Sequence, residues 1–308
     1  MSGTTLGGGG GAAAGTEAAA GERPQIVRTA RRAPRRRPTL GGTSLSAVAV
    51  VLGVLWLVPL AWAVDTAFKP EAETTSIPVT WIPSEFTLDA FVSVFAQGDL
   101  LRWLFNSVVV AVAVTVLTLV LCSAAAYGFS RMDFPFKKAV LALVLAGIMV
   151  PPQVLIVPLF EQMRALRLVD TYPGIVLPQV VAPAMVFILK KFFDGIPKEY
   201  EEAAEMDGAG PLRTFWNVVL PMSKPILTAV AIFTFIHAWN NFLWPFIVTT
   251  EPDMMTVPVG LAAVQGSYGL RYAQIMAAAV AAGLPLVLIY ALFQRQVVRG
   301  VGDAGLKG

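Results

Sequence analysis

Charge is scarce in this 308-residue chain, and it is missing altogether from six long stretches. Only 14% of the residues are charged, whereas 56% are hydrophobic and the mean hydropathy is +0.67. Each stretch without Asp, Glu, Lys or Arg holds at least 19 residues, close to the roughly 20 that a helix needs to cross a hydrocarbon core. This composition excludes an ordinary soluble domain. The uncharged stretches are 38–64, 103–130, 139–160, 171–189, 225–250 and 272–294.

Cysteine and histidine occur once each, which excludes an intrachain disulfide and a metal site built from several such residues. We interpret Cys122, inside the second uncharged stretch, as a small apolar packing residue. His237 lies in the fifth stretch, where a solitary His suits either a ligand or proton carrier or an interhelical hydrogen bond. Because it has no acidic neighbour in the sequence, we favour the hydrogen bond. We expect no metal site in this chain.

Two further absences concern the source of energy. The chain has no G-x-x-x-x-G-K-[ST] run and therefore does not bind ATP through a Walker loop. Ion-coupled carriers usually keep ionisable residues inside the membrane for proton or ion relay, and the uncharged stretches hold no Asp, Glu, Lys or Arg. If transport is active, its energy is therefore expected to enter from a partner.

The distribution of basic residues predicts the topology of an all-α, polytopic membrane protein. With a cytoplasmic N-terminus, 18 of the 23 Lys and Arg fall on the inside, as the positive-inside rule requires. These cations mark topology, so the net charge of +3 does not indicate nucleic-acid binding. We expect a disordered Gly/Ala/Arg-rich tail over 1–43, a transmembrane domain over 44–298 and a cytoplasmic tail over 299–308. The six predicted transmembrane helices are 44–64, 106–128, 139–160, 173–193, 225–248 and 272–294.

A charged segment, residues 196–224, separates the fourth and fifth spans and carries the signals of two short helices. We name it the charged hairpin. Its first helix places negative charge near the positive end of the helix dipole, at Glu199, Glu201 and Glu202. Ala203 and Ala204 continue that helix with little side-chain bulk. The Asp207-Gly208 pair offers a residue that tolerates a left-handed conformation, so we expect the turn there.

The second helix of the charged hairpin is predicted to begin at Pro211 and to end before Pro221. One apolar face is expected from residues spaced i, i+3, i+4 and i+7, which are Leu212, Phe215, Trp216 and Val219. Topology places this helix-turn-helix in the cytoplasm. We predict that it is a docking element that receives force from a partner.

Two adjacent amides lie among aromatic residues near the end of the fifth span. In hydrocarbon each Asn requires hydrogen-bond partners, so both are expected to face the bundle interior or a wet cavity. Aromatic rings beside amides also suit sugars, because ring faces stack and hydroxyls bond. The alternative is an aromatic belt at the membrane interface. The candidate pathway residues are Trp239, Asn240, Asn241 and Trp244.

The charged hairpin contains Glu202-Ala203-Ala204, Gly208 after three further residues, and Val218-x-Leu220-Pro221 after nine more. This pattern resembles the EAA loop of permease subunits in bacterial ABC importers, although Val218 stands where that family usually has Ile. Other runs are similar to the carbohydrate-uptake branch, and within it to the smaller maltose-transporter permease. The resemblance covers about 45–308. These runs include Phe68-Lys69-Pro70, Asn106-Ser107, Tyr127-Gly128-Phe129-Ser130-Arg131, Val150-Pro151-Pro152-Gln153, Trp239-Asn240-Asn241-Phe242 and Gly305-Leu306-Lys307-Gly308.

The resemblance implies a non-catalytic permease subunit in the inner membrane of a bacterium, with both termini cytoplasmic. It would work with a second permease, two ATPase subunits that bind ATP and Mg²⁺, and an extracytoplasmic solute-binding protein. No cofactor is expected in this chain itself. The residues expected to couple to the ATPase are Glu202, Ala203, Ala204, Asp207, Gly208, Leu212, Trp216 and Pro221.

Two more contacts follow from the resemblance alone. The loop around 251–258 would approach the binding protein, with Glu251, Asp253 and Met254 as candidate contacts. The C-terminal Lys307 and Gly308 would reach the ATPase dimer, although a frayed end is the simpler interpretation.

The leading function is translocation of a mono- or oligosaccharide, driven by ATP hydrolysis in a separate subunit. The same kind of permease could serve glycerol phosphate or a polyol, but a phosphate calls for cationic groups, and the six uncharged stretches hold none. An ion-coupled secondary transporter is disfavoured by the uncharged spans, and a membrane scaffold would leave the Pro-broken spans unexplained.

Overall fold

The computed structural model describes residues 40–97, 99–267 and 271–305, and over that part of the chain it contains helices and no strands. The first helices are α1 Leu40–Ala67, α2 Glu71–Thr74, α3 Asp89–Gln97, α4 Leu100–Arg131, α5 Lys137–Ala146, α6 Ile156–Ala165, α7 Tyr172–Val180 and α8 Pro183–Asp194. They are followed by α9 Glu199–Met206, α10 Pro211–Thr214, α11 Leu220–Met222, α12 Lys224–Trp239, α13 Leu243–Val248, α14 Val257–Ser267 and α15 Tyr272–Gly305. Short 3₁₀ turns occupy Gly147–Met149, Pro152–Leu155 and Pro252–Met254, and a π turn occupies Phe215–Val219.

The chain divides into two compact units, residues 1–53 and Val54–Gly308. In the first unit the described structure is the beginning of α1, whose apolar side chains are exposed at Leu45, Val48 and Val50. The second unit contains all the other helices. Most of the predicted N-terminal tail, residues 1–39, lies outside the described residues.

Among the described residues, three helices are long and apolar enough to cross a membrane, and up to six crossings result if each bent helix pair is one span. The three are Leu45–Ala67, Leu100–Arg131 and Tyr272–Phe293, which agree with the first, second and sixth predicted spans. The third predicted span is broken by 95° between Lys137–Met149 and Pro152–Ala165, and the fourth by 50° between Tyr172–Val180 and Pro183–Asp194. Both breaks lie at prolines, Pro151 and Pro152 in the third span and Pro183 in the fourth, which remove backbone donors from a helix.

The fifth span is not the single helix over 225–248 that the sequence predicted. Helix α12 ends at Trp239, and α13 begins only at Leu243. Asn240 caps the end of α12, with its side-chain amide donating to the Ile236 carbonyl at 2.9 Å. Helix α15, which contains the sixth predicted span, continues past residue 294 to Gly305 and includes Pro285.

The core is organised around α4, which packs against α7, α8, α12 and α14. One apolar cluster joins Val110 and Val114 of α4 to Ile175 of α7 and to Trp239 and Trp244. A second, nearer the other end of α4, is formed by residues such as Ala126, Leu189, Phe193, Val219 and Val230.

Side chains of α4 also satisfy the break between α7 and α8. The Thr118 hydroxyl donates to the Val180 carbonyl at 3.2 Å, and the Cys122 thiol to the Ala182 carbonyl at 3.6 Å. A break inside the membrane leaves backbone carbonyls that need such partners. Cys122 is therefore buried, as predicted, but it also contacts the break directly.

Candidate functional site

The turn of the charged hairpin has the geometry that the sequence predicted. Gly208 has a φ of +79°, a left-handed conformation that suits glycine. Its N–H donates to the Glu205 carbonyl, and the Ala209 N–H donates to the Ala204 carbonyl, both at 2.9 Å. This pair of hydrogen bonds closes α9 as a Schellman motif. Pro211 then occupies the first turn of α10.

The second helix of the hairpin differs from the prediction, since it continues through Pro221 to Met222. Between α10 and α11 the backbone forms a π turn, in which the Leu220 N–H donates to the Phe215 carbonyl five residues earlier. In a regular α-helix the ring of Pro221 would clash with the carbonyl of Asn217. The wider π turn accommodates the proline, so the helix is not terminated.

The π turn also divides the predicted apolar face. Phe215 and Val219 are buried in the core, but Leu212 is 71% exposed and Trp216 is 56% exposed. The prediction of one face containing all four residues was wrong, because a π turn changes the rotation between successive side chains. Leu212 and Trp216 instead line an open cavity of about 500 Å³. The other lining residues are Gly210, Pro211, Arg213 and Asn217.

The candidate coupling residues lie on the exposed side of the hairpin. Glu202, Ala203, Asp207, Gly208, Leu212, Trp216 and Pro221 are exposed, and Ala204 is partly buried. Both helices of the hairpin thus contribute exposed side chains, which no other segment of the described residues covers. This exposed surface combines carboxylates with two large apolar side chains.

The hairpin is joined to α4 by an ion pair that the sequence analysis missed. Arg131 Nε lies 2.6 Å from Glu201 Oε1, and both side chains are nearly buried. The same guanidinium donates to the carbonyls of Phe193 at 2.8 Å and Ile196 at 2.7 Å. A guanidinium suits this role because its donors point in several fixed directions. Of the three acidic residues in the first turn, only Glu201 is turned inwards.

Tyr127, one turn before Arg131, makes a second joint. Its hydroxyl donates to the Pro211 carbonyl at 3.1 Å, and its ring centroid lies 4.9 Å from that of Phe215. The end of α4 therefore contacts both helices of the hairpin. The sequence contained a signal for this joint, because Tyr127 and Arg131 are four residues apart and therefore share one face of a helix.

The structure separates the four candidate pathway residues. Trp239 and Trp244 are buried in the core, where Trp244 donates to the Gly174 carbonyl at 3.1 Å. Asn240 is exposed, and Asn241 is partly buried with its amide donating to Gln179 Oε1 at 2.7 Å. Gln179 was not among the residues predicted from the sequence. A pathway role for these residues stays a prediction.

The loop over 249–256 is held by two sets of polar contacts. Asp170, between α6 and α7, accepts from the Thr250 hydroxyl and N–H, both at 2.6 Å, and from the Glu251 N–H at 3.0 Å. Burial acts to raise the pKa of Asp170, but these hydrogen bonds outweigh it and hold the pKa below its ordinary value.

The second set of contacts comes from the start of α4. Arg102 Nε donates to the Asp253 carbonyl at 3.2 Å, and Trp103 Nε1 donates to the Pro252 carbonyl at 3.0 Å. Asn106 donates to the carbonyls of Asp253 and Met255, both at 2.8 Å.

Of the candidate binding-protein contacts, Glu251 and Asp253 are exposed, whereas Met254 is partly buried against the core. A contact through any of the three stays a prediction. The candidate ATPase contacts Lys307 and Gly308 lie outside the described residues.

Comparison with known proteins gives a family match over residues 119–302, to the binding-protein-dependent transport system inner membrane component. The arabinooligosaccharides transport system permease protein of Halalkalibacterium halodurans is 37% identical over 253 residues, covering 81% of this chain and 91% of that protein. The sn-glycerol-3-phosphate transport system permease protein of Yersinia enterocolitica is 33% identical over 266 residues, covering 83% and 95%.

The fold is also found in a solved structure. It is similar to the crystal structure of a bacterial ABC transporter involved in the import of the acidic polysaccharide alginate, with a TM-score of 0.75 and 21% identity over 83% of this chain and 98% of that chain. The family match spans more than half of the chain, and the sequence relatives align along most of it. The chain therefore belongs to the family of binding-protein-dependent transport system inner membrane components and is a non-catalytic membrane permease subunit of an importer.

Proposed function

We propose that this permease subunit moves a mono- or oligosaccharide across the cytoplasmic membrane, and that ATP hydrolysis in a separate subunit drives the movement. The similarity to permeases named for oligosaccharide transport supports a carbohydrate cargo. The six uncharged stretches support an external source of energy, because they hold none of the Asp, Glu, Lys or Arg residues that ion-coupled carriers usually keep in the membrane.

The exposed surface of the charged hairpin is the observation that carries the coupling role. Leu212 and Trp216 are large apolar side chains that remain exposed, although the helix that bears them is joined to α4 through the contacts of Tyr127 with Pro211 and Phe215. A rigid support with an uncovered apolar surface suits docking to a protein partner. The ATPase subunit is the partner that we propose for it.

The proposed topology has six crossings with both termini in the cytoplasm, formed by α1, α4, α5–α6, α7–α8, α12–α13 and α15. Contacts between connecting segments support this alternation. The Arg131 end of α4 meets the end of α8 and the hairpin. Its Leu100 end meets the 249–256 loop, which also bonds to Asp170 between α6 and α7. Segments proposed for the same side of the membrane therefore lie together.

Replacing Trp216 tests the docking surface. We expect Trp216→Ala to reduce the ATPase subunit recovered with a tagged permease roughly tenfold or more, as loss of a buried aromatic anchor does. Trp56→Ala is the matched control, since Trp56 is 82% exposed on α1, away from the hairpin. Equal recovery with both variants would show that the hairpin surface does not bind the ATPase.

Cargo is tested by uptake of radiolabelled sugars into membrane vesicles that contain the complete importer. We expect uptake of at least one mono- or oligosaccharide, dependent on ATP and on the binding protein. Glycerol phosphate is the second candidate, because a relative at 33% identity is named for it. Uptake of glycerol phosphate and of no sugar would replace the carbohydrate assignment.

A further inference from the structure

Helix α4 is long and unbroken, and it lies at the centre of the core. Its 32 residues correspond to about 48 Å of α-helix, enough to cross the membrane and extend beyond it on both sides. Two of the neighbouring membrane segments are bent, by 95° in α5–α6 and by 50° in α7–α8. No proline occurs within α4, which removes the commonest cause of a kink.

At one end, α4 is joined to the charged hairpin through two different kinds of contact. The Arg131–Glu201 ion pair holds α9, and the hydrogen bond from Tyr127 to the Pro211 carbonyl holds α10. Ser130 also donates to Asp194 at 2.8 Å, which connects this end of α4 to α8. Removing one partner of a nearly buried ion pair is costly, so the hairpin and α4 are expected to move as one body.

At its other end, α4 is hydrogen-bonded to the 249–256 loop. Asn106 is completely buried and uses every polar group of its side chain: it donates to the carbonyls of Asp253 and Met255 and accepts from the Tyr172 hydroxyl at 2.7 Å. The adjacent Ser107 hydroxyl accepts from the Val257 N–H at 2.9 Å. This loop carries exposed Glu251 and Asp253, the candidate contacts with the binding protein.

The covalent path from the hairpin is less direct. The hairpin leads into α12 through a 79° bend, and the route to the loop is then interrupted between Trp239 and Leu243. A bent and interrupted path absorbs displacement by rotation at its joints. The straight path through α4 transmits displacement along its axis.

We propose that Tyr127, Arg131 and Asn106 are positioning residues that make α4 the rod through which the 249–256 loop and the charged hairpin move together. Docking of the loaded binding protein at the loop then changes the position of the hairpin on the ATPase subunit. This inference rests on the proposed function, and it names the structural element that carries coupling within the permease.

The test is a double-mutant cycle between the two ends of α4, because spatial continuity alone does not demonstrate coupling. The complete importer is reconstituted in lipid nanodiscs, and ATP hydrolysis is measured with and without substrate-loaded binding protein. Tyr127→Phe removes only the hydroxyl that holds Pro211, and Asn106→Ala releases the loop. The matched control is Tyr290→Phe, which removes the hydroxyl of an exposed tyrosine on α15.

We expect Tyr127→Phe to reduce the stimulated-to-basal ratio roughly fivefold, as loss of about one net hydrogen bond does. Asn106→Ala removes three hydrogen bonds and should reduce the ratio at least as much. The ratio of the double variant should be no lower than that of the stronger single variant. If α4 is the only connection, releasing one end already abolishes transmission, and releasing the second end has no further effect. Tyr290→Phe should keep the full ratio. If Asn106→Ala does not fold, Ser107→Ala takes its place, since it removes the hydroxyl that accepts from the Val257 N–H directly after the loop.

Two results would overturn the inference. One is a ratio unchanged in both single variants, and the other is a double variant whose two effects multiply, which indicates independent routes. Failure of the unchanged importer to respond to the loaded binding protein would be a different result, since it would overturn the proposed function and this inference with it.

Discussion

At the scale of single residues, two cations lie buried where membrane helices end, and each is compensated by several partners. Lys69 is 2% exposed; its ammonium lies 2.6 Å from Asp65, donates to the Thr80 carbonyl at 2.7 Å and stands 4.3 Å from the centre of the Trp62 ring. Arg131 is held by Glu201 and two carbonyls. A buried charge is tolerated only with such compensation, so these residues fix the joints around them.

Gly260 is required by close packing, since a Cβ at this position would overlap the indole of Trp103. We predict that Gly260→Ala lowers the free energy of unfolding by about 1–3 kcal/mol, the usual cost of overpacking. Thermal denaturation in detergent, followed by tryptophan fluorescence, measures the change. Gly283→Ala is the control, because nothing lies within 4 Å of the added methyl group. Equal stability of the two variants would contradict the packing of α14 on α4.

Asp170 is predicted to make the anchorage of the 249–256 loop dependent on pH. Its pKa is lowered in the folded protein, so its contribution to stability is present above the ordinary value of 3.8 and is lost as the pH falls through the folded value. Asp170→Asn should therefore lower the melting temperature at pH 7 and make a smaller difference as the pH approaches 3. A difference that is constant over this range would exclude the carboxylate as the stabilising group.

At the scale of elements, breaks in the helices place the functional groups. Breaks in α5–α6 and α7–α8 occur at prolines, and α4 side chains satisfy the exposed carbonyls of the second. The π turn has a comparable effect in the hairpin, because it buries Phe215 and leaves Trp216 exposed. The position of the docking surface thus depends on one irregular turn.

We predict that Pro221→Ala converts the π turn to a regular α-helix, since alanine restores an N–H and removes the ring clash. A regular α-helical turn contains one residue fewer than the π turn, so this conversion rotates Leu212 and Trp216 by about 100° relative to the buried end of the helix. Recovery of the ATPase subunit with the permease should fall. Pro225→Ala is the matched control, because Pro225 lies in the first turn of α12, where a missing N–H has no consequence. Full recovery of the ATPase subunit with Pro221→Ala would show that docking does not depend on the π turn.

At the scale of the whole molecule, the permease presents two groups of connecting segments at opposite ends of α4. In a Cys122→Ser background we predict that Glu251→Cys reacts with a membrane-impermeant maleimide in intact cells. Glu205→Cys, on the exposed side of the hairpin, should react only after the membrane is permeabilised. Labelling of both sites in permeabilised cells is the control for accessibility. Reaction of Glu205→Cys in intact cells would reverse the proposed orientation.

The sequence alone determined the class of molecule and the location of the hairpin. Uncharged stretches near the length of a membrane span indicated the helices, since hydrocarbon excludes charge, and glycine and proline marked the turn through their backbone preferences. These signals are local and follow from single residues or short windows.

Only the tertiary structure decided which side chains meet. Glu201 differs from Glu199 and Glu202 because Arg131, 70 positions earlier, lies against it, and Asn106 is bound to a loop almost 150 positions away. The burial of Trp239 and Trp244 and the contact between Asn241 and Gln179 have the same origin. They depend on packing between segments that are distant in the chain, and periodicity within one segment carries no information about such contacts.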